Sequence, residues 1–498
     1  MTVSDVHVLA QNMIQYADRR RLLVFADNRQ DAAFQAGWMH DHARRFRLRA
    51  LMAQEIAGAP GIGVGDLVAR LDALLDADDE LSRALAPEVW QMHRKAGEPL
   101  KHAEERRYFL RIQVLREVVT GVKQRVGLEP WGRLRVGYRG LEPTLPFVEE
   151  WAPRTAADPA DLAEGIAALL DVYRRGTHLL DRDGRLFSKF LREGAREIQR
   201  GYLPLLPGGP KGLKLARNPG DRPGRVTQWL SSGGGTLAKQ VVRGWGVPAE
   251  QVDEFLTRLW GLLANDLRLL APARLESAAG KPLAGTAGAH QIDADLLELH
   301  PHRGLWRCST CRRAQLRRGP RGRCMAWRCD GTVQFEEENP DDYDLTVLDL
   351  TAGQGDFAML RPAEHSAQVP DDVREALEMS FKDERQDRVN TLVATPTLEL
   401  GVDIGALDTV LMRNVPPLPA NYWQRVGRAG RRHRMAVNLT YARPASHDRA
   451  YFADPVKMLD GAVSPPPFQH AEPAPHTQAR ARRDAHPPAP AGARGRRP

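Results

Sequence analysis

The sequence predicts an α/β chain. A parallel-sheet domain comes in two pieces, interrupted by a large, mainly α-helical insertion that carries a small zinc module. Three observations predict this. Short apolar runs alternate with helical patterns at both ends of the chain, over 1–57 and again over 345–460, as in a parallel sheet covered by helices. Between them, apolar residues recur mainly at helical spacing. Near the end of that interruption lie all four cysteines of the chain, Cys308, Cys311, Cys324 and Cys329.

Bulk properties narrow the class. At 498 residues there is room for about three domains. Hydrophobic residues make up 42%, enough for real cores. A formal charge of +8 and a pI near 9.4 favour an acidic partner such as nucleic acid. No apolar run approaches the roughly 18 residues that a membrane span needs, and the N-terminus has no signal-peptide layout. Cysteines gathered in one cluster point to a metal site in a reducing compartment, so a cytoplasmic protein is expected.

Taken in order, residues 1–20 read as a helix with Val8, Met13, Ile14 and Ala17 inward. Arg21–Ala26 reads as a buried strand ending at Asp27-Asn28, and Asp31 to about Ala57 as a helix. The insertion proper spans 58–225. It opens with a loop (58–65) and a helix over Leu67–Leu85. A better helix over Lys101–Val126 places Tyr108, Ile112, Leu115, Val119, Val122 and Val126 in one stripe. Pro130–Pro146 reads as irregular. Asp158-Pro159 opens a helix with Leu162, Ile166, Leu169 and Tyr173 inward. A further helix is expected over Leu186–Gln199 and a linker over 204–225. Within 226–298, a helix at Thr236–Trp245, a second opening at Pro248 and a strand at Leu267–Ala271 suggest a winged-helix module, with more helical bundle as the alternative. In 299–340, Cys308-x2-Cys311 and Cys324-x4-Cys329 can close a tetrahedral four-thiolate site, which suits a structural Zn2+. An iron–sulfur cluster is the other liganded reading. Arginines crowd this module; they favour thiolate and can hold phosphates.

In 345–460 the sheet domain resumes. Pro362–Gln368 is followed by an amphipathic helix with Val373, Leu377, Met379 and Phe381, then apolar runs at Leu392–Ala394 and Val410–Met412. Asn421 can cap a helix that carries Gln424, Arg425, Arg428 and Arg431, and Met435–Ala442 reads as the closing strand. Three arginines spaced by Gly427 and Gly430 make a poor core but suit a polyphosphate, whose oxygens guanidinium forks bind bidentately. The tail, 464–498, is basic and is expected to be disordered.

The run Gln424-Arg-Val-Gly-Arg-Ala-Gly-Arg431 resembles motif VI of superfamily 2 helicases. Ala394-Thr395 through Gly401-Val402-Asp403-Ile404 resembles motif V, and Leu23–Phe34 resembles motif IV. Together with Asn414-Val-Pro-Pro417, these are similar to the large bacterial DEAD/DEAH-box helicases that carry cysteine clusters. The resemblance implies a RecA-like domain of the helicase C-terminal type. It implies that Arg428 and Arg431 are arginine fingers and that Gln424 contacts the nucleotide or its water. Gly401, Asp403, Arg425, Gly427 and Gly430 fall on the cofactor side, with Arg425 holding the helix in place. Thr395, Thr397, His365 and Arg29 fall on the nucleic-acid side. The cofactor implied is ATP with Mg2+, in a site shared with a first RecA-like domain. Neither Lys211 nor Lys281 sits in a Gly-x4-Gly-Lys-Ser/Thr loop, and Asp253-Glu254 lies in an amphipathic helix. The expectation is therefore the C-terminal half of an ATP-dependent helicase or translocase, inactive alone. Its partners would be nucleic acid, DNA ahead of RNA, and a polypeptide or missing segment carrying the first domain. The alternative is a non-catalytic nucleic-acid-binding module on a degenerate helicase scaffold.

Overall fold

Leu22–Phe25 is apolar at every position and buried at every position, which is how a strand covered on both faces reads. The computed structural model describes residues 2–86, 99–119, 127–182, 210–216, 218–231, 235–277, 281–337, 358–383, 389–399, 404–405, 407–430 and 435–461. The chain opens with helix α1 (Thr2–Tyr16) and strand β1 (Leu22–Phe25). Helix α2 (Arg29–Gly58) follows, capped by Asn28, whose Oδ1 accepts the Asp31 N–H at 2.8 Å. The buried face of α1 is Val6, His7, Ala10, Gln11 and Ile14; of the expected core positions only Ile14 is fully buried. Two polar residues can face inward because each finds neighbours there. Gln11 Nε2 donates to the Ala358 carbonyl at 2.6 Å, and His7 stacks on Phe46 at 5.7 Å.

Among the described residues the interruption carries short strands as well as the expected helices. Its elements are β2 (Ile62–Gly63), α3 (Val64–Ala77), α4 (Asp79–Leu85), α5 (Pro99–Val119), β3 (Leu134–Tyr138), α6 (Pro146–Trp151), α7 (Pro159–Arg175) and β4 (Leu179–Leu180). There follow β5 (Gly212–Lys214), β6 (Val226–Gln228), α8 (Leu237–Gly244), α9 (Val252–Gly261), β7 (Leu270–Pro272), β8 (His290–Asp293) and β9 (Leu297–Pro301). A cysteine-bearing hairpin unit closes it, with β10 (Leu305–Cys308), β11 (Ala314–Gln315) and β12 (Val333–Glu336). Among the described residues these strands form sheets ordered β2-β9-β3, β4-β8-β5-β6 with β7 on β8, and β11-β10-β12.

Several expected loops are therefore structured. The 58–65 loop contains β2, and its chain enters α3 at Val64. The expected 67–85 helix breaks at Asp78, whose Oδ1 caps α4 through the Leu81 N–H. The irregular 130–146 segment holds β3, whose inward residues Leu134, Val136 and Tyr138 alternate with half-buried ones. The 204–225 linker holds β5, with Leu213 fully buried. Strand pairing crosses the expected boundaries at 225 and 298, since β4 pairs with β8 and β9 with β3. The helix expected at 186–199, Val122, Val126 and the 464–498 tail lie outside the described residues. The α8–α9 pair forms as expected, with Thr236 capping α8. The outer face of α9, however, carries Asp253 and Glu254, and its Arg258 is clamped on Glu150 at 2.7 and 2.6 Å. That face is acidic and self-paired, unlike a helix that meets phosphates.

The last part supplies β13 (Pro362–His365), α10 (Asp371–Lys382), β14 (Thr391–Ala394), β15 (Thr409–Met412), α11 (Pro419–Val426), β16 (Val437–Thr440), α12 (Ser446–Ala453) and α13 (Val456–Leu459). With β1 they build a parallel sheet in the order β13-β14-β1-β15-β16. Leu22 aligns with Thr391 and Thr409, and Phe25 with Ala394 and Met412. The two-residue period divides β1 between two cores. Leu22 and Val24 join the large core with α1 and α2; Leu23 and Phe25 join Phe381, Leu392, Val410 and Met412. Of the core positions expected on α10 only Phe381 is buried, while Val373 and Met379 are exposed.

A buried ionic cluster welds the interruption together. Arg174, fully buried, donates to Glu129 at 2.7 Å and to Asp171 at 2.9 Å. Asp171 also accepts the Tyr138 hydroxyl at 2.8 Å and Arg317 Nε at 3.2 Å. Arg317, from the cysteine-bearing unit, also reaches Glu164 on α7 at 2.9 and 2.8 Å and the Val136 carbonyl. Burial alone pushes the Asp171 pKa up; the Arg317 and Arg174 guanidiniums outweigh it and hold the carboxyl at about 2. Removing one partner of such a cluster strands buried charge. Arg317→Met is thus expected to lower unfolding free energy by about 3–5 kcal/mol in urea titrations.

Burial also holds two histidines neutral. His7 falls to a pKa of about 3, through burial and then the charge of His42. His178 falls to about 4, through burial, while its ring nitrogens bond the Tyr173 carbonyl and the Thr227 hydroxyl. Both values lie below the unfolded one of about 6.5, so the stability they contribute is present above pH 6.5 and is lost as pH falls toward 4. Unfolding free energies from urea titrations between pH 7 and pH 5 should drop, with a limiting slope of about 1.4 kcal/mol per pH unit per histidine. A flat profile would contradict the burial of both rings.

Candidate functional site

The site lies at the C-terminal edge of the parallel sheet, where open α/β sheets receive ligands. The turn after β1 brings Asp27, Asn28, Arg29 and Gln30 beside Thr395-Pro396 after β14 and Gln368 after β13. These residues line an open cleft of about 500 Å³. Arg29 is exposed in it, where the sequence placed a nucleic-acid contact. Thr395 is 3% exposed and His365 is 3% exposed. His365 Nε2 pairs with Glu378 Oε1 at 2.7 Å, so its imidazole is turned toward α10 rather than outward. The Thr397 side chain, Gly401, Asp403 and Arg431 lie outside the described residues.

The helix α11 carries the other half of the site. Pro419 starts it at a position where a missing N–H is harmless. Arg425 is 1% exposed, and its guanidinium carbon lies 5.1 Å from the centroid of the Phe25 ring. This cation–π contact pins α11 to β1 and gives Arg425 an anchoring role. Gln424, the next residue outward, is exposed, and Arg428 is largely buried beyond the helix end. The glycines have local causes. A Cβ at Gly427 would meet the Trp423 carbonyl at 3.0 Å. Gly430 has φ +74°, a left-handed conformation, and its N–H donates to the Leu407 carbonyl at 2.9 Å.

Sequence reasoning missed the brace around this edge. Arg443 Nη2 donates to Asp27 Oδ2 at 2.8 Å, and Arg413 Nη1 pairs with Asp31 Oδ2 at 3.1 Å. Buried Asp448 accepts the Arg443 N–H at 2.8 Å and the Val415 N–H at 3.4 Å. Those partners stand hundreds of residues from β1, so no local signal could have linked them.

The second candidate site is the cysteine set. All four sulfurs lie within 4.8 Å of one another, with Cys308–Cys329 at 3.7 Å and Cys311–Cys324 at 3.6 Å. Four sulfurs at about 2.3 Å from one tetrahedral ion stand about 3.8 Å apart, so the set fits Zn2+. The backbone prepares it. The N–H groups of Thr310 and Cys311 point at Cys308 Sγ, and that of Ala326 at Cys324 Sγ. Burial pushes the Cys308 thiol up, but those two N–H donors together with the Cys329 and Cys311 thiols outweigh it and bring it down to about 7. His300 and His302 are not among the clustered ligands.

A parallel sheet whose C-terminal edge carries this arginine–glycine helix defines a RecA-like domain of the helicase C-terminal type. Comparison with known proteins agrees: residues 356–433 match the helicase conserved C-terminal domain. Over those residues the chain is similar to the C-terminal domain of ATP-dependent helicases. It is 38% identical to Druantia protein DruE of Escherichia coli (strain UMEA 4076-1) over 21% of this chain and 6% of that protein. It is 42% identical to ATP-dependent helicase HRQ1 of Saccharomyces cerevisiae over 14% of this chain and 7% of that protein. The solved structure of the DUF1998 helicase MrfA bound to DNA and AMPPNP aligns with 23% of this chain and 16% of that one, at 25% identity and a TM-score of 0.20. The matches thus cover small fractions of these relatives' own lengths. Among the described residues no helix is long and apolar enough to cross a membrane.

The cysteine site yields a steric prediction. A Cβ on Gly331 would stand 2.4 Å from Cys308 Sγ. Gly331→Ala should therefore lower bound metal below one ion per chain and lower the melting temperature, as Cys308→Ser should. Metal analysis with thermal melts checks this; full metal occupancy in Gly331→Ala would refute it.

Proposed function

We propose that this chain supplies the second RecA-like half of an ATP-dependent nucleic-acid helicase or translocase. The observation that carries the reading is the mounting of the Gln424–Gly430 part of the Gln424–Arg431 run. Its helix is pinned through Arg425 onto the Phe25 ring, and Gly427 and Gly430 shape the turn that follows. Rigid support of this kind is what an arginine finger needs, because a misplaced guanidinium loses most of its effect. Arg428 and Arg431 reach the γ-phosphate held by a first RecA-like domain, which comes from a separate polypeptide or from further chain of a longer protein. ATP with Mg2+ supplies the transferring phosphoryl group and neutralises part of its charge. Gln424 orients the nucleotide or its water, and Asp403, beside Gly401, couples that event to the nucleic-acid side. Arg29, with Thr395 and Thr397, meets the phosphate backbone, so recognition is largely independent of sequence. DNA is favoured over RNA as the tracked strand. The zinc is structural, since four thiolates leave no open position.

The test joins this chain to the polypeptide encoded in the adjoining reading frame and measures ATPase activity with and without single-stranded DNA. Stimulated hydrolysis is expected, with Arg428→Ala or Arg431→Ala lowering kcat by about 10³-fold while oligonucleotide binding persists. Arg428→Lys should not restore the rate, because an ammonium cannot reproduce the planar fork. Strong DNA binding with no stimulated ATPase would instead favour a non-catalytic binding module on a helicase scaffold.

A further inference from the structure

The arginines of the cysteine-bearing unit are not equivalent. Arg317 is buried in the ionic cluster, Arg321 lies over Gly246 in the turn between α8 and α9, Arg307 pairs with Glu336 and Arg323 with Asp330. These four are structural. Arg312, Arg313, Arg318 and Arg328 are exposed, and of these Arg328 adjoins the exposed ring of Trp327. Arg312 follows Cys311 and Arg328 precedes Cys329, so both spring from the turns that hold the four sulfurs. Arg312 has only a distant carboxylate, Glu336 at 3.7 Å, and its side chain is 71% exposed. The Arg328 guanidinium lies 5.7 Å from the Trp327 ring.

The backbone gives the second, independent observation. Arg312 and Arg328 both have φ of +58°. Glycine adopts that conformation freely and an arginine does so only with strain. Neither side chain has a buried role that would repay the strain within the fold. Strained backbone that presents an exposed functional group points to a ligand for that group.

We propose that the turns of the cysteine-bearing unit form a second nucleic-acid contact, separate from the RecA-like edge, that holds a single strand. Arg312, Arg313 and Arg328 take the phosphates, and Trp327 stacks on a base. A nucleic acid fits better than an acidic polypeptide because a cation, Arg328, adjoins an exposed aromatic ring on a unit with further exposed arginines, the combination that single-strand binders use. The proposal rests on the reading of nucleic acid as the partner of this chain, but not on ATP hydrolysis.

The test uses the full chain, a labelled single-stranded DNA oligonucleotide and fluorescence anisotropy at several salt concentrations. Arg312→Gly with Arg328→Gly should weaken binding and flatten the plot of log affinity against log salt by about 1.4, the value for two lost phosphate contacts on a single strand. The same pair should keep its metal and melt no lower than the parent, since glycine relieves the turns. Trp327→Ala, a surface change, should weaken binding about tenfold. Unchanged affinity and slope in both variants would overturn the proposal and leave the helicase reading standing. So would competition by polyglutamate as effective as that by unlabelled DNA, which would reassign the surface to acidic polypeptides. Absence of any DNA binding by the parent chain would defeat both.

Discussion

The arrangement depends on one insertion of backbone: β1, from the first 25 residues, hydrogen-bonds as the central strand between β14 and β15. Neither later strand can be completed without it. Side chains lock the register at the N-terminal end of β1. Thr409 Oγ1 donates to the Arg21 carbonyl at 2.7 Å, and Arg21 Nε donates to the Phe381 carbonyl at 3.0 Å. Where the chain returns, Ala358 is held by α1 through Gln11 and through Gln15, whose Oε1 accepts the Ala358 N–H at 2.8 Å. Closing so long a loop is tolerable because its entropic cost grows only with the logarithm of length, while a doubly buried parallel strand contributes apolar burial at every residue.

The same threading makes the site a joint product of both pieces. Phe25 is the surface on which Arg425 rests, and Asp27 and Asp31 are the anchors of Arg443 and Arg413. The helix bearing Gln424 and Arg428 thus takes its position from the opening residues of the chain. The interrupting part shares one large core with α1, β1 and α2 and adds buried charges of its own. Arg174 and Arg317 converge on Asp171 there, and Arg317 fastens the cysteine-bearing unit to α7. That unit is tied again at the backbone, where the Arg328 N–H donates to Gln240 Oε1 at 3.0 Å.

Much of this was legible in the sequence, and the reason is local. The runs at Leu22–Phe25, Thr391–Ala394 and Thr409–Met412 are apolar because each strand is covered on both faces. The stripe on α7 is one-sided because one side is buried. Cysteine spacing set by tight turns named the four sulfurs that the fold gathers. The order of the Gln424–Arg431 run after Thr395 identified the domain without reference to the rest of the chain. What failed was equally physical. Periodicity says that a helix has two faces, not that a partner covers the apolar one. Val373 and Met379 on α10 stay exposed, while α1 buries His7 and Gln11.

The sequence by itself determined the helicase C-terminal match and the clustered cysteine set, because each is written in residues close together along the chain. Tertiary structure alone decided which polar groups face inward. His365 pairs with Glu378, Arg425 lies under Phe25, and Arg317 crosses to Asp171. A charged or polar side chain is buried when a complementary group arrives from elsewhere in the fold, and that arrival is not encoded in its neighbours.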